Sequence, residues 1–112
     1  MDEIARQNPG TSRIKRWFDR LNGAYVNRAW IYAEHGEYQQ AFENCNRALQ
    51  LHIKDEIAYA YRARVYCWQG EYEQAPADCE QALTIDVECA DAYGVRGLIA
   101  YKQEQYERAR RF

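Results

Sequence analysis

Residues 22–36 read NGAYVNRAWIYAEHG, and residues 56–70, 34 positions later, read EIAYAYRARVYCWQG. Tyr25 and Tyr59 coincide, as do Arg28 and Arg62, Ala29 and Ala63, and Gly36 and Gly70. The register persists outward. Tyr93, Arg96 and Gly97 open a third copy, Tyr38, Tyr72 and Tyr106 align, and so do Ala41, Ala75 and Ala109. Ala48-Leu49 matches Ala82-Leu83. A fixed period of this length predicts a stacked repeat architecture, in which each unit buries its apolar face only against its neighbours. Such an architecture favours a binding scaffold over a catalyst.

Within each period the pattern reads helix, turn, helix. The first pair is predicted at about 23–35 and 39–51, and the second at about 57–69 and 73–85. Gly36 and Gly70 end the first member of each pair, because glycine takes the left-handed C-terminal position cheaply. Pro76 falls in a first helical turn, where a missing N–H costs least. A third pair begins near Asp91, with its second helix opening at Glu107. Small residues interlock the helices: Ala29, Ala63 and Gly97 in one set, Ala41, Ala75 and Ala109 in the other. Tyr25, Tyr59 and Tyr93, with Tyr32 and Tyr66, fill the space beside them, and Leu49, Leu51, Leu83 and Ile85 cover the ends. Ahead of the repeats, Asn8-Pro9-Gly10 is a turn signal, and Thr11 or Ser12 can cap a short helix through Leu21. Ile14, Trp17, Phe18 and Leu21 form one helical stripe. This segment is predicted to dock on the first repeat, or to run on into the next helix, since Gly23 weakens a helix without forbidding it.

At 112 residues the chain forms one small domain, and its formal net charge of −2 gives no global field for nucleic acid or an acidic membrane. Arg13, Lys15, Arg16 and Arg20 make one basic cluster, and Arg108, Arg110 and Arg111 another; both read as solvated helix ends. No apolar run is long enough to span a bilayer. The start, Met1-Asp2-Glu3, lacks a signal-peptide pattern, which places the chain in the cytoplasm. Cys45, Cys67, Cys79 and Cys89 form no CxxC pair and read as free buried thiols, and His35 and His52 supply no zinc spacing. Nothing pairs a nucleophile with a base, and no Gly-rich phosphate loop occurs, so neither an enzyme nor a cofactor is predicted. Both histidines read as surface residues near helix C-termini.

With residues 22, 56 and 90 as position 1, the matched positions resemble the tetratricopeptide repeat family: a small residue at 8, tyrosine at 11, glycine at 15, tyrosine at 17, alanine at 20 and 27. The resemblance implies an all-α fold, an α-solenoid of antiparallel helix pairs wound into a right-handed superhelix, preceded by the short N-terminal helix. It divides the chain into an N-terminal segment, 1–21, and repeats at 22–55 and 56–89 with a truncated third at 90–112. The chain departs from the pattern where Ile53 and Val87 replace the usual proline at position 32, which predicts more helical connections between pairs. Position 15 of the third unit is Glu104, and position 11 is Ala100, with the tyrosine moved to Tyr101. The position-7 arginines read as structural, with Asp78 a partner for Arg62 or Arg96 and Asn44 the equivalent for Arg28.

In such a solenoid the first helices of the pairs line a concave groove. Its predicted lining is Val26, Asn27, Trp30, Ala33 and Glu34; then Ile57, Ala60, Tyr61, Arg64, Cys67 and Trp68; then Asp91, Gly94, Val95, Leu98, Tyr101 and Lys102. An apolar surface with polar edges marks an interaction site, and Trp, Tyr and Arg carry most interface energy. The partner-binding set is Val26, Asn27, Trp30, Tyr61, Arg64, Trp68, Val95, Leu98, Tyr101 and Lys102. The family's clamp for the carboxylates of chaperone tails is absent, because its places hold Val26, Trp30, Tyr61, Asp91 and Val95. The predicted function is a protein-interaction scaffold that takes a peptide or amphipathic helix in the groove. The alternative is self-association: the flank around Tyr93, Gly97 and Ala100 pairs or exchanges helices with a second copy and buries Phe112. A parent chain that completes the third repeat would cover the same flank.

Overall fold

A computed structural model describes residues 9–111, and side-chain surroundings from residue 13 onward. Five helices occur among the described residues: α1, Pro9–Glu34; α2, Tyr38–Leu51; α3, Glu56–Trp68; α4, Ala75–Ile85; and α5, Ala90–Arg111. No strand occurs among the described residues. Helix α1 packs along α2, and α3 along α4; α3 also packs on α1, α2 and α5, and α5 on α4. The result is an elongated stack of helix pairs with extents of 67 × 27 × 17 Å.

The turns within the pairs follow from glycine. Gly36 and Gly70 have φ of 76° and 81°, a backbone region that glycine occupies without a Cβ clash. Gly36 N–H donates to the Ala33 carbonyl and Glu37 N–H to the Tyr32 carbonyl, at 3.1 and 2.9 Å. Gly70 and Glu71 repeat this with Cys67 and Tyr66, at the same two distances. Both ends are Schellman motifs, which satisfy the last helical carbonyls. Pro76 lies in the first turn of α4.

The connections between pairs are not helical, contrary to the expectation from the missing prolines. His52 and Asp86 are extended, and each chain reversal takes only a few residues. Asp55 caps α3, its carboxylate accepting from Ala58 N–H at 3.0 Å, and Asp86 accepts from Glu88 N–H at 3.0 Å. These two aspartates do the work that proline would have done.

Two elements are longer than the repeat pattern alone predicts. Of the two courses expected for the segment ahead of the first repeat, it takes the second, running on into the next helix and not docking as a separate one. It is the first half of α1, which continues through Gly23, and Pro9-Gly10 begins that helix instead of making a turn. Ile14 and Trp17 are 58% exposed and Phe18 40%, so most of the apolar stripe is open, and only Leu21 is half-buried. Asn22 secures the continuation by donating to the Ala48 carbonyl at the end of α2, at 2.9 Å. Likewise α5 passes through Glu104 without a break, because no residue there takes the left-handed conformation that ends α1 and α3. No second helix opens at Glu107. Asn8, the Thr11 and Ser12 side chains and Phe112 lie outside the described residues.

The core is built from small side chains. Ala41, Ala48, Ala58, Ala60, Ala63, Ala75, Ala82 and Ala92 are all fully buried, which lets neighbouring backbones approach closely. Tyr59, Val65, Val95 and Ile99 supply bulk; each large apolar side chain contributes about 1.5–3 kcal/mol when fully buried. Gly97 makes no such approach: a Cβ built there meets nothing within 4 Å, because no helix lies against that face of α5. Arg62 donates to both oxygens of Asp78 at 2.7 Å and to Asn46 at 2.9 Å, which joins α3 to α4 and α2. Arg28 makes no equivalent pair. It lies over the Tyr25 ring, while Asn44 donates back to the Gln40 carbonyl. All four cysteines are free and buried.

Candidate functional site

The first helices of the pairs, α1, α3 and α5, lie side by side with α3 in the centre. That arrangement sorts the predicted groove residues into two groups. Val26, Ala33, Ala60, Cys67 and Val95 are buried, at 9% exposure or less. Val26 and Ala60 share one core cluster, and Cys67 and Val95 another. They form the seams between adjacent first helices and present no surface to a partner. For Val26 and Val95 this removes them from the binding set, because the side of α1 or α5 that faces α3 is packed and not open.

The other group forms a continuous aromatic surface. The Trp30 ring on α1 packs on Tyr61 of α3, with centroids 5.2 Å apart. The Arg64 guanidinium lies over Trp30 at 5.4 Å and over Trp68 at 5.9 Å. Trp68 in turn packs on Tyr38 at 6.0 Å, over the turn between α1 and α2. Each of these five side chains is half-buried, one side on the core and the other outward. Leu98 and Lys102 on α5 are half-buried, and Asn27 and Tyr101 are exposed. Leu98 packs against the Cys67–Val95 cluster. Tyr101, 57% exposed, is in none of the aromatic pairs of the surface.

The electrostatics are local. Burial, then the negative charge of Asp91, pushes the Tyr61 phenol up, so it stays neutral and can donate a hydrogen bond. Burial pushes the Cys67 thiol up, and the positive charges of Lys102 and then Arg64 oppose it. No group of His, Cys, Asp and Glu that could hold a metal occurs among the described residues. No described helix is long and apolar enough to cross a membrane.

Two surface features escaped the sequence. A hollow of about 620 Å³ lies outside the groove, where the α3–α4 turn meets the far end of α5; Glu71, Tyr72, Gln103, Tyr106 and Glu107 line it. It exists because α5 stays helical past Glu104, a signal available in the missing glycine. The second is Tyr38, which joins the aromatic surface from α2 and was read only as a repeat marker.

Comparison with known proteins agrees with this architecture. Two family models described as tetratricopeptide repeat match residues 23–55 and 57–85, together more than half of the chain. No curated protein matches the chain.

Proposed function

The chain belongs to the tetratricopeptide repeat family, whose repeats are generally protein–protein interaction modules, and we propose that it holds a peptide or amphipathic helix of another protein in the groove along α1, α3 and α5. The supporting observation is the aromatic run Trp30, Tyr61, Arg64 and Trp68, half-buried and continuous across two helices. Rigid aromatic side chains that are already ordered lose little entropy on binding, and they are the residue types that dominate interface energies. Asn27, Leu98, Tyr101 and Lys102 complete the surface. The repeats occupy 22–55, 56–89 and 90–112, and α1 enters the first of them from the segment ahead without a break. Four free buried thiols suit a reducing compartment such as the cytoplasm.

The test is selection of binders from a random-peptide display library on the whole chain, followed by titration of the recovered peptides. Trp30→Ala and Tyr61→Ala should each weaken binding by about 2 kcal/mol, or roughly thirtyfold. Unchanged affinity in both variants removes the groove from the function.

One observation favours a second reading. On α5, Tyr93 is 49% exposed, and Gly97 and Ala100 are exposed, although equivalent positions in α1 and α3 are covered by α2 and α4. This face suits self-association. Light scattering over a concentration series that shows only monomer rejects it.

A further inference from the structure

We propose that the groove selects a segment carrying a carboxylate side chain beside a large apolar one, and that Arg64 reads the carboxylate; this rests on the groove reading above. Half-burial without a carboxylate partner distinguishes Arg64 from the other arginines with assigned contacts. Arg28 and Arg47 also lie over a ring, that of Tyr25, without a carboxylate partner, but both are exposed, whereas Arg64 is half-buried. Arg62 has its guanidinium satisfied by Asp78 and Asn46, and Arg108 and Arg110 pair with Glu104 and Glu107. Arg64 pairs with no carboxylate among the described residues, and its Nε is buried without any acceptor. A half-buried cation without a counter-charge is costly, and an arriving anion recovers that cost.

The guanidinium is also held in place. Contact with Trp30 at 5.4 Å and Trp68 at 5.9 Å leaves its plane little freedom, so a carboxylate meets an ordered donor fork. Across from it stands Gly94, exposed on α5, where a Cβ would come no closer than 3.9 Å to Nη2. That is an ordinary contact distance, so a methyl group would fit there, and only a larger side chain would cover the guanidinium. The charges beside it set the direction of the ligand. Lys102 adds a positive charge near the same part of α3, while Asp91 lies toward Tyr61. The carboxylate is therefore placed at the Arg64–Lys102 end, and its apolar neighbour on Trp30 and Tyr61. A basic segment is disfavoured, because it would put a second unpaired cation against Arg64.

The experiment uses the same display selection on the whole chain. The recovered peptides should carry Asp or Glu next to a large apolar residue. Changing that acid to its amide should weaken binding to the wild type about tenfold, and to Arg64→Gln by less than about twofold, the signature of a direct pair. Gly94→Leu, which leaves Arg64 in place, should abolish the acidic preference by closing the approach. The peptide-side change keeps the test valid even if a protein variant folds poorly. Groove-dependent peptides that are neutral or basic overturn the role of Arg64 and leave the groove standing. Peptides indifferent to Trp30→Ala and Tyr61→Ala overturn both.

Discussion

Arg62 and Arg64 stand two residues apart on α3 in opposite surroundings. Asp78, eight per cent exposed at its side chain, holds Arg62 in a two-oxygen pair; Arg64 lies over two indoles and pairs with no carboxylate among the described residues. Near the first of these sits Cys45, whose thiol burial pushes up to about 12, with the Arg62 charge opposing and those of Asp78 and Asp55 adding. Cys79 is pushed up to about 11, again chiefly by burial and then by Asp78. These shifts predict a loss of stability at alkaline pH. An unfolded thiol ionises near 9.0 while the folded one keeps its proton, so above that pH the unfolded chain binds fewer protons and unfolding is favoured. Below it the thiols contribute no slope. The urea midpoint should therefore be flat to about pH 8.5 and fall steadily toward pH 11, and Cys45→Ala should flatten part of that fall. Equal slopes for the two proteins would show that Cys45 is not held neutral. The repeat narrowed the partner of Asp78 to Arg62 or Arg96, and the structure selects Arg62. The repeat failed for Arg28, because Asn44 spends its amide on the carbonyl one helical turn back, a local bond that competes with any distant partner.

The same glycine acts in two ways depending on its helix. Gly36 has φ 76° and ends α1, whereas Gly23 lies inside α1 at negative φ with nothing within 4 Å of a built Cβ. Alanine at the two sites should have opposite effects. Gly23→Ala removes backbone freedom from the unfolded chain and should stabilise by about 0.5–1 kcal/mol. Gly36→Ala forces a Cβ into the left-handed region and should destabilise by about 1–2 kcal/mol. Thermal melts of the two variants check the sign, and a stabilising Gly36→Ala would mean that the α1–α2 turn does not need its observed geometry. The helix ends at Gly36 and Gly70 were readable because one residue type has one backbone reason to stand there. The length of α1 was readable only as one of two courses, since Gly23 permits a continuous helix without requiring it. Its N-terminal half carries an apolar stripe that predicts a packed surface, yet Ile14, Trp17 and Phe18 remain open, since amphipathic spacing declares a face without naming what covers it. The aspartate caps at Asp55 and Asp86 were equally present in the sequence but were overshadowed by the family's absent proline.

Because each helix pair touches only its neighbours, stability in this chain is a sum of local units and the seams between them. The seams explain why the groove was only partly legible. A helical wheel gives each first helix two sides, one toward its pair partner and one away. In the stack the away side is itself divided, and the parts that face adjacent first helices are packed. Val26, Ala60, Cys67 and Val95 fall on those parts; Trp30, Tyr61, Arg64 and Trp68 fall between them and keep one side outward. Val95 is the strongest test of this division. It is fully buried, with Ile99, Ala63 and Cys67 in the cluster that seats α5 on α3 and α4. Val95→Asp would place an unpaired carboxylate in that seam, at a cost of several kcal/mol to the docked state. In a quasi-one-dimensional stack the loss should stay local, so that α5 detaches while α1 to α4 hold together. Hydrogen exchange should then show amides of 90–111 unprotected, and those of α1 and α2 close to wild type. If protection falls equally from α1 to α5, the chain folds as one cooperative body and the seams are not its units of stability.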